Sequence, residues 1–161
     1  MSAIPRKVRR RRYPGELVVE QTRNAKLVDA MIAAAGVTIA EIGSADDCFL
    51  AAFEGDDPVG IAGLATEVDA ALLFILFVVP GRRRRGVGAR LLAGVREAAQ
   101  ARGVRRLYAV ALESSVDFFW RSGFASVNQS EMVETFSWTS TWPQTGCGSQ
   151  GYSVLRTDLS A

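Results

Sequence analysis

Val78-Val79-Pro80-Gly81-Arg82-Arg83-Arg84-Arg85-Gly86-Val87-Gly88-Ala89-Arg90 runs from the end of an apolar strand, through a glycine-containing turn, into an amphipathic helix. The first N–H groups of a helix have no intrahelical acceptor and carry the positive end of its dipole, so a turn of this kind binds anions, phosphate above all. Gly86 and Gly88 let the main chain come close to such an anion, and the neighbouring arginines add charge-assisted contacts. The spacing is not the G-x-G-x-x-G dinucleotide fingerprint, and no Lys-Ser/Thr follows the second glycine as in a Walker A loop. Taken alone, the four arginines 82–85 read equally as a solvated turn or a nucleic-acid patch.

Upstream, residues 70–79 contain no polar side chain, which is too continuous for a half-exposed strand and predicts a central strand covered on both faces. Residues 48–53 and 59–66 read as a hairpin around a turn cluster at 54–58. Leu27, Val28, Met31, Ile32 and Ala35 recur at helical spacing over 24–35, with Gly36 as a stop, so a helix precedes the sheet; 39–47 holds a second short one. Downstream, Val87, Leu91, Leu92, Val95 and Ala98 share one face of a helix over 86–102 that Gly103 ends. A strand over 105–112 and a short aromatic helix over 114–121 follow. Strand, helix and strand in that order imply parallel pairing of the two strands. After Phe124 the pattern fades: 125–129 and 152–158 read as strands, and 136–151 as a loop rich in Ser, Thr, Gly and Trp.

The chain has 161 residues, 48% of them hydrophobic and 22% charged, enough apolar material for one domain with a continuous core. Six of the nineteen cations and none of the seventeen anions fall in residues 1–12, so the rest of the chain is acidic by four charges. Residues 1–14 therefore read as a basic flexible arm and 15–161 as the folded domain, whose acidic balance argues against nucleic acid as a partner. Histidine is absent, which excludes Ser-His-Asp and Cys-His hydrolases and removes the usual metal ligand; no metal is expected. Cys48 and Cys147 match neither zinc nor redox spacing and read as reduced bystanders. No apolar run approaches the roughly 18 residues of a membrane helix, and the basic start lacks a signal peptide's apolar segment, so the expectation is a cytoplasmic protein with no membrane partner.

With these residues in view, the sequence resembles the GNAT acetyltransferases. Their signature, Val-x-Pro-x-x-Arg/Gln-x-x-Gly-x-Gly/Ala, is matched at Val78, Pro80, Arg83, Gly86 and Gly88. A second element, Phe118-Phe119-Trp120-Arg121-Ser122-Gly123-Phe124, is similar to the family's Phe-Tyr-x-x-x-Gly-Phe. The resemblance implies a single-domain α/β (α+β) GNAT fold, a mixed sheet of six to seven strands flanked by about four helices. It implies acetyl-CoA as cosubstrate, its pyrophosphate on Arg83, Arg84, Arg85, Gly86, Val87, Gly88 and Ala89, and its pantetheine and acetyl carbonyl on the main chain of Leu76, Phe77 and Val78. Backbone N–H groups that polarise a thioester are oxyanion-type stabilisation and leave no side-chain signature. The implied reaction is transfer to a primary amine of a small molecule, by direct attack in a ternary complex.

Two departures bear on the chemistry. Phe119 stands where many members carry the tyrosine that protonates the leaving thiolate, and Leu72-Leu73 stand where some carry a glutamate base. The candidate base or substrate-positioning carboxylate is Glu113, at the end of the strand after the cofactor helix; Glu67 and Asp69 are hairpin carboxylates. Ser114 or Ser115 contacts the pantetheine arm or caps the aromatic helix. Trp138, Trp142 and Tyr152 line an acceptor pocket or cover the sheet edge. The short Leu-Glu-Ser-Ser lead-in looks like members related to N-acetylglutamate synthase and to arsenic-resistance acetyltransferases, which makes an amino-acid-like acceptor the leading expectation. The alternative is an acyl-CoA-binding sensor of the same fold without turnover; a homodimer stays open.

Overall fold

The computed structural model describes residues 16–36, 48–137, 139 and 152–159. The basic segment 1–14, the short helix expected within 39–47, and Trp138, Trp142 and Cys147 lie outside the described residues. Along the chain come β1 (Leu17–Thr22), α1 (Ala25–Ala34), β2 (Cys48–Glu54), β3 (Asp57–Glu67), β4 (Ala70–Val78), a 3-10 turn (Pro80–Arg82), α2 (Val87–Ala101), β5 (Arg106–Leu112), α3 (Glu113–Arg121), β6 (Ala125–Val127), α4 (Gln129–Thr135) and β7 (Tyr152–Asp158). The strands form one sheet in the order β1-β2-β3-β4-β5-β7-β6. Every pairing is antiparallel except β4 with β5, joined in parallel through the crossover helix α2.

The apolar run of β4 has both faces covered, as its composition requires. Ala71 and Leu73 pack with Leu91, Leu92 and Val95 of α2, while Leu72 and Phe74 pack on the other face with Val28 and Met31 of α1 and Met132 of α4. Burying each leucine stabilises the fold by about 1.5–3 kcal/mol. Helices α2 and α3 thus cover one face, α1 and α4 the other.

Four local expectations change. The sheet begins before α1: Leu17–Thr22 is an edge strand whose Leu17 and Val19 pack towards α2, with Glu20 and Gln21 exposed. Six residues alternating this weakly acquire strand character only from β2, some thirty positions away in sequence. The hairpin turn is shorter than 54–58, because β2 reaches Glu54 and β3 starts at Asp57. The strand after Phe124 stops at Val127, because Asn128 caps α4 by accepting from the Ser130 N–H at 3.0 Å. Asn128 followed by Glu131 is a helix-start signal in the sequence, but seven residues give it little periodicity. Finally, α3 starts at Glu113 with Leu112 as the preceding residue and no side-chain cap, so neither Ser114 nor Ser115 is its N-cap.

Candidate functional site

The central strands part company halfway along. β4 and β5 pair only at Ala70–Arg106, Ala71–Leu107, Leu72–Tyr108 and Leu73–Ala109. Beyond that point β4 continues against β3 alone and β5 against β7 alone, leaving a cleft between residues 74–78 and 110–112. A bulge marks the point of divergence: Gly63 faces Ile75 and Leu64 faces Leu73, so Phe74 is an extra residue in β4. Phe74 and Ile75 consequently turn to the same face, where the Phe74 ring meets Phe49 edge-on with centroids 5.7 Å apart. That ring lies over Gly63, where a Cβ would stand 2.5 Å from two ring carbons.

The cleft wall formed by β4 is polar along its main chain although its side chains are apolar. Val79 N–H donates to the Val59 carbonyl at 2.9 Å, and Gly60 faces Val78 in the ladder. Antiparallel alternation then turns the N–H and C=O of Leu76 and Val78 away from β3 and into the cleft, while Phe77 pairs with Ile61. Of the three strand residues singled out from sequence, Leu76 and Val78 thus present main-chain groups to the cleft. Phe77 instead offers its ring, on the α1 face.

The chain leaves β4 through the 3-10 turn and reaches α2 with two left-handed residues, Arg84 at φ 65° and Gly86 at φ 80°. Glycine takes that conformation freely, whereas an arginine is held there at a cost of roughly 1–2 kcal/mol. Arg82 Nε lies 2.9 Å from Glu54 Oε2 without its N–H aimed at the oxygen, an ion pair rather than a hydrogen bond, and ties the turn to the end of β2. The Arg83 side chain folds back on β4: its Nε donates to the Val78 carbonyl at 3.0 Å, and its guanidinium stands 5.8 Å from the Phe77 ring centroid. Arg84 and Arg85 are exposed. Arg90 N–H makes the first turn's bond, to Gly86 O at 3.1 Å, so the N–H groups of Val87, Gly88 and Ala89 lack intrahelical acceptors. No side chain caps this helix and no acid lies in its first turn. A Cβ at Gly86 would meet nothing within 4 Å and one at Gly88 only ordinary contacts with Phe118 and Val78. The helix start therefore lies open to an anion.

The remaining candidates separate cleanly. Phe119 is 2% exposed in the core, its ring 5.2 Å from those of Phe118 and Phe124. Ser114 is exposed in the first turn of α3, directly after the end of β5 that has parted from β4. The backbone of Glu113 opens that helix, and its side chain lies outside the described part of the structure. Glu67 and Asp69 are at the opposite, closed end of β4, roughly 20–30 Å along the strand from Leu76 and Val78 at about 3.3 Å per residue. Asp69 is occupied there with Arg106 at 3.3 Å. Cys48 is a free thiol whose pKa burial pushes up, in keeping with an inert role.

A polar cluster not singled out from sequence crosses the α4 face. The buried Tyr108 hydroxyl donates to Glu131 at 2.8 Å and accepts from Arg106 at 3.2 Å, and Glu131 also pairs with Arg156. The Tyr108 hydrogen bond, followed by the arginines, holds the Glu131 carboxyl below its usual range. Tyr108 sits opposite Leu72 in the closed half of the sheet, so the cluster ties α4 to β5 and β7 rather than lining the cleft. The signal in the sequence is slight: Arg106 and Tyr108 stand two apart in the otherwise apolar β5, and Arg156 and Asp158 do so in β7 with Thr157 between them.

Among the described residues no metal-holding group of acids and cysteines occurs, and no helix is long and apolar enough to cross a membrane. Among curated proteins no sequence relative matches. Solved structures share the fold. N-acetylglutamate synthase from Neisseria gonorrhoeae, complexed with coenzyme A and N-acetyl-glutamate, superposes with a TM-score of 0.69 at 19% identity, over 92% of this chain and 36% of its own. This chain thus spans about a third of that enzyme's length. The ribosomal-protein-S18-alanine N-acetyltransferase from Escherichia coli gives 0.68 at 15% identity, over 91% and 96% of the two chains. An aminoglycoside 6'-N-acetyltransferase complexed with coenzyme A gives 0.68 at 14%, over 89% and 98%. The family model for GNAT acetyltransferases matches residues 16–124, which contain the parted strands, the open helix start and the aromatic helix; the chain belongs to the acetyltransferase (GNAT) family.

Proposed function

We propose that the chain transfers the acetyl group of acetyl-CoA to a primary amine of a small, amino-acid-like molecule. The observation that carries this reading is the continuity of two features: the main-chain edge of β4, turned away from β3 at Leu76 and Val78, leads directly into the uncapped start of α2. An extended arm bearing amides can complete a free strand edge, and a diphosphate at its far end suits the N–H groups of Val87, Gly88 and Ala89 with Arg84 and Arg85 beside them. Ser114 borders the same cleft from the start of α3.

In the proposed reaction the neutral amine attacks the thioester carbon, the carbonyl oxygen gains charge towards the strand-edge N–H groups, and the C–S bond breaks as the thiolate leaves. Phe119 has no proton to give and is buried, so water protonates the thiolate or it departs as the anion. Glu113, following the end of β5 that has parted from β4, is the proposed carboxylate that orients the amine or takes its proton.

Calorimetric titration with acetyl-CoA, followed by thiol release across a panel of amino acids and amines, tests this. Gly86→Glu forces a side chain into φ 80° and places a carboxylate at the anion site, so acetyl-CoA affinity should fall by at least about 100-fold. Undiminished binding in that variant, or none in the wild type, refutes the donor site. Binding without thiol release across the panel points to a sensor instead.

A further inference from the structure

Arg83 stands apart from the arginines that follow it, because its side chain is already engaged on the strand. Val78 C=O points into the cleft, and Arg83 Nε holds that oxygen at 3.0 Å. Its guanidinium lies over Phe77, whose ring is on the face opposite α2. Its Nε–H therefore occupies an acceptor on the edge that an extended amide-bearing arm has to complete, while the rest of the guanidinium lies over the Phe77 ring. Three residues further on, Gly86 starts the open anion site.

We propose that Arg83 is a donor-specificity residue. It covers the Val78 carbonyl until an anion at the start of α2 draws the guanidinium off, so thioesters that carry a diphosphate are admitted and the same pantetheine thioester without phosphate is disfavoured. The inference rests on the reading above that the pantetheine arm runs along Leu76 and Val78. The physical ground is competition for one acceptor: a pantetheine amide has to displace a charge-assisted hydrogen bond, and a donor lacking phosphate leaves the exposed guanidinium only water in exchange. A donor with a diphosphate offers the guanidinium an anion at the helix start that follows three residues along the chain.

Titration of the wild type, Arg83→Met and Arg83→Ala with acetyl-CoA and with S-acetylpantetheine separates the two effects. Methionine keeps an apolar stem over Phe77 while removing the donor. Both variants are expected to bind acetylpantetheine about tenfold tighter and acetyl-CoA about tenfold weaker than the wild type. A second measurement uses the wild type alone: inorganic pyrophosphate should tighten acetylpantetheine binding several-fold, because coupling between two sites is reciprocal. If the wild type binds acetyl-CoA but acetylpantetheine affinity moves with neither substitution nor pyrophosphate, or acetylpantetheine binding is undetectable throughout, the inference is overturned and the donor site stands. If the wild type binds neither thioester, the donor reading fails and the inference with it.

Discussion

Replacing Gly63 by alanine probes the bulge that separates β4 from β5. The new Cβ would lie 2.5 Å from two carbons of the Phe74 ring and 2.9 Å from Ile75 Cγ2, so the ring must retreat by about 1 Å to reach the 3.4 Å of ordinary contact. It has little room to do so. Phe74 is 9% exposed and stands edge-on to Phe49, so part of the shift passes into the bulged backbone. Overpacking of this kind costs about 1–3 kcal/mol, which for a domain of this size lowers Tm by roughly 3–10 °C. A 1 Å displacement beside the cleft also weakens a ligand fitted to Leu76 and Val78, and acetyl-CoA affinity should fall about tenfold or more. Thermal melts and acetyl-CoA titration of Gly63→Ala, Phe74→Leu and the double variant read both effects. Because leucine removes the ring atoms that clash, the double variant should be more stable than the sum of the single effects by at least about 1 kcal/mol. If Gly63→Ala melts and binds like the wild type, or the two substitutions are additive, the ring does not wedge the strands apart as argued.

Phe119→Tyr should give no gain in kcat at any pH, because the new hydroxyl enters a core position 2% exposed, and it should destabilise by about 1–3 kcal/mol; a rate gain with a new basic limb in the pH profile would place this side chain in the cleft instead. Tyr108→Phe removes the hydroxyl shared by Glu131 and Arg106 and should lower stability by about 1–2 kcal/mol in urea unfolding at about pH 7. Since the folded pKa of Glu131 lies below its unfolded value of 4.5, its contribution is present above that pH and is lost as the pH falls through the folded value. The difference between wild type and Tyr108→Phe should therefore shrink progressively as the pH is taken below 4.5. An undiminished gap there would mean that the ionised carboxylate is not the partner that matters.

Much of this protein can be read from its chain because the decisive features are local. An unbroken apolar run of this length between turn residues reads as a strand covered on both faces, and β4 is one; a glycine turn opening an amphipathic helix leaves N–H groups without intrahelical acceptors, and α2 begins that way. Hence the family, the parallel crossover and the uncapped helix start that follows Gly86 are legible in the sequence. Contacts between distant segments decided the rest. β1 becomes a strand through β2, and α4 is anchored by Glu131 reaching residues 23 and 25 positions away. Phe119 reads in sequence as a vacant acid position and lies in the structure as a core ring. The four arginines 82–85 are alike in sequence, yet Glu54 takes Arg82 and the Val78 carbonyl engages the exposed Arg83, while Arg84 and Arg85 point to solvent. Their division, and the bulge at Phe74 that opens the cleft, depend on where packing places the neighbouring strands, and no local pattern encodes that.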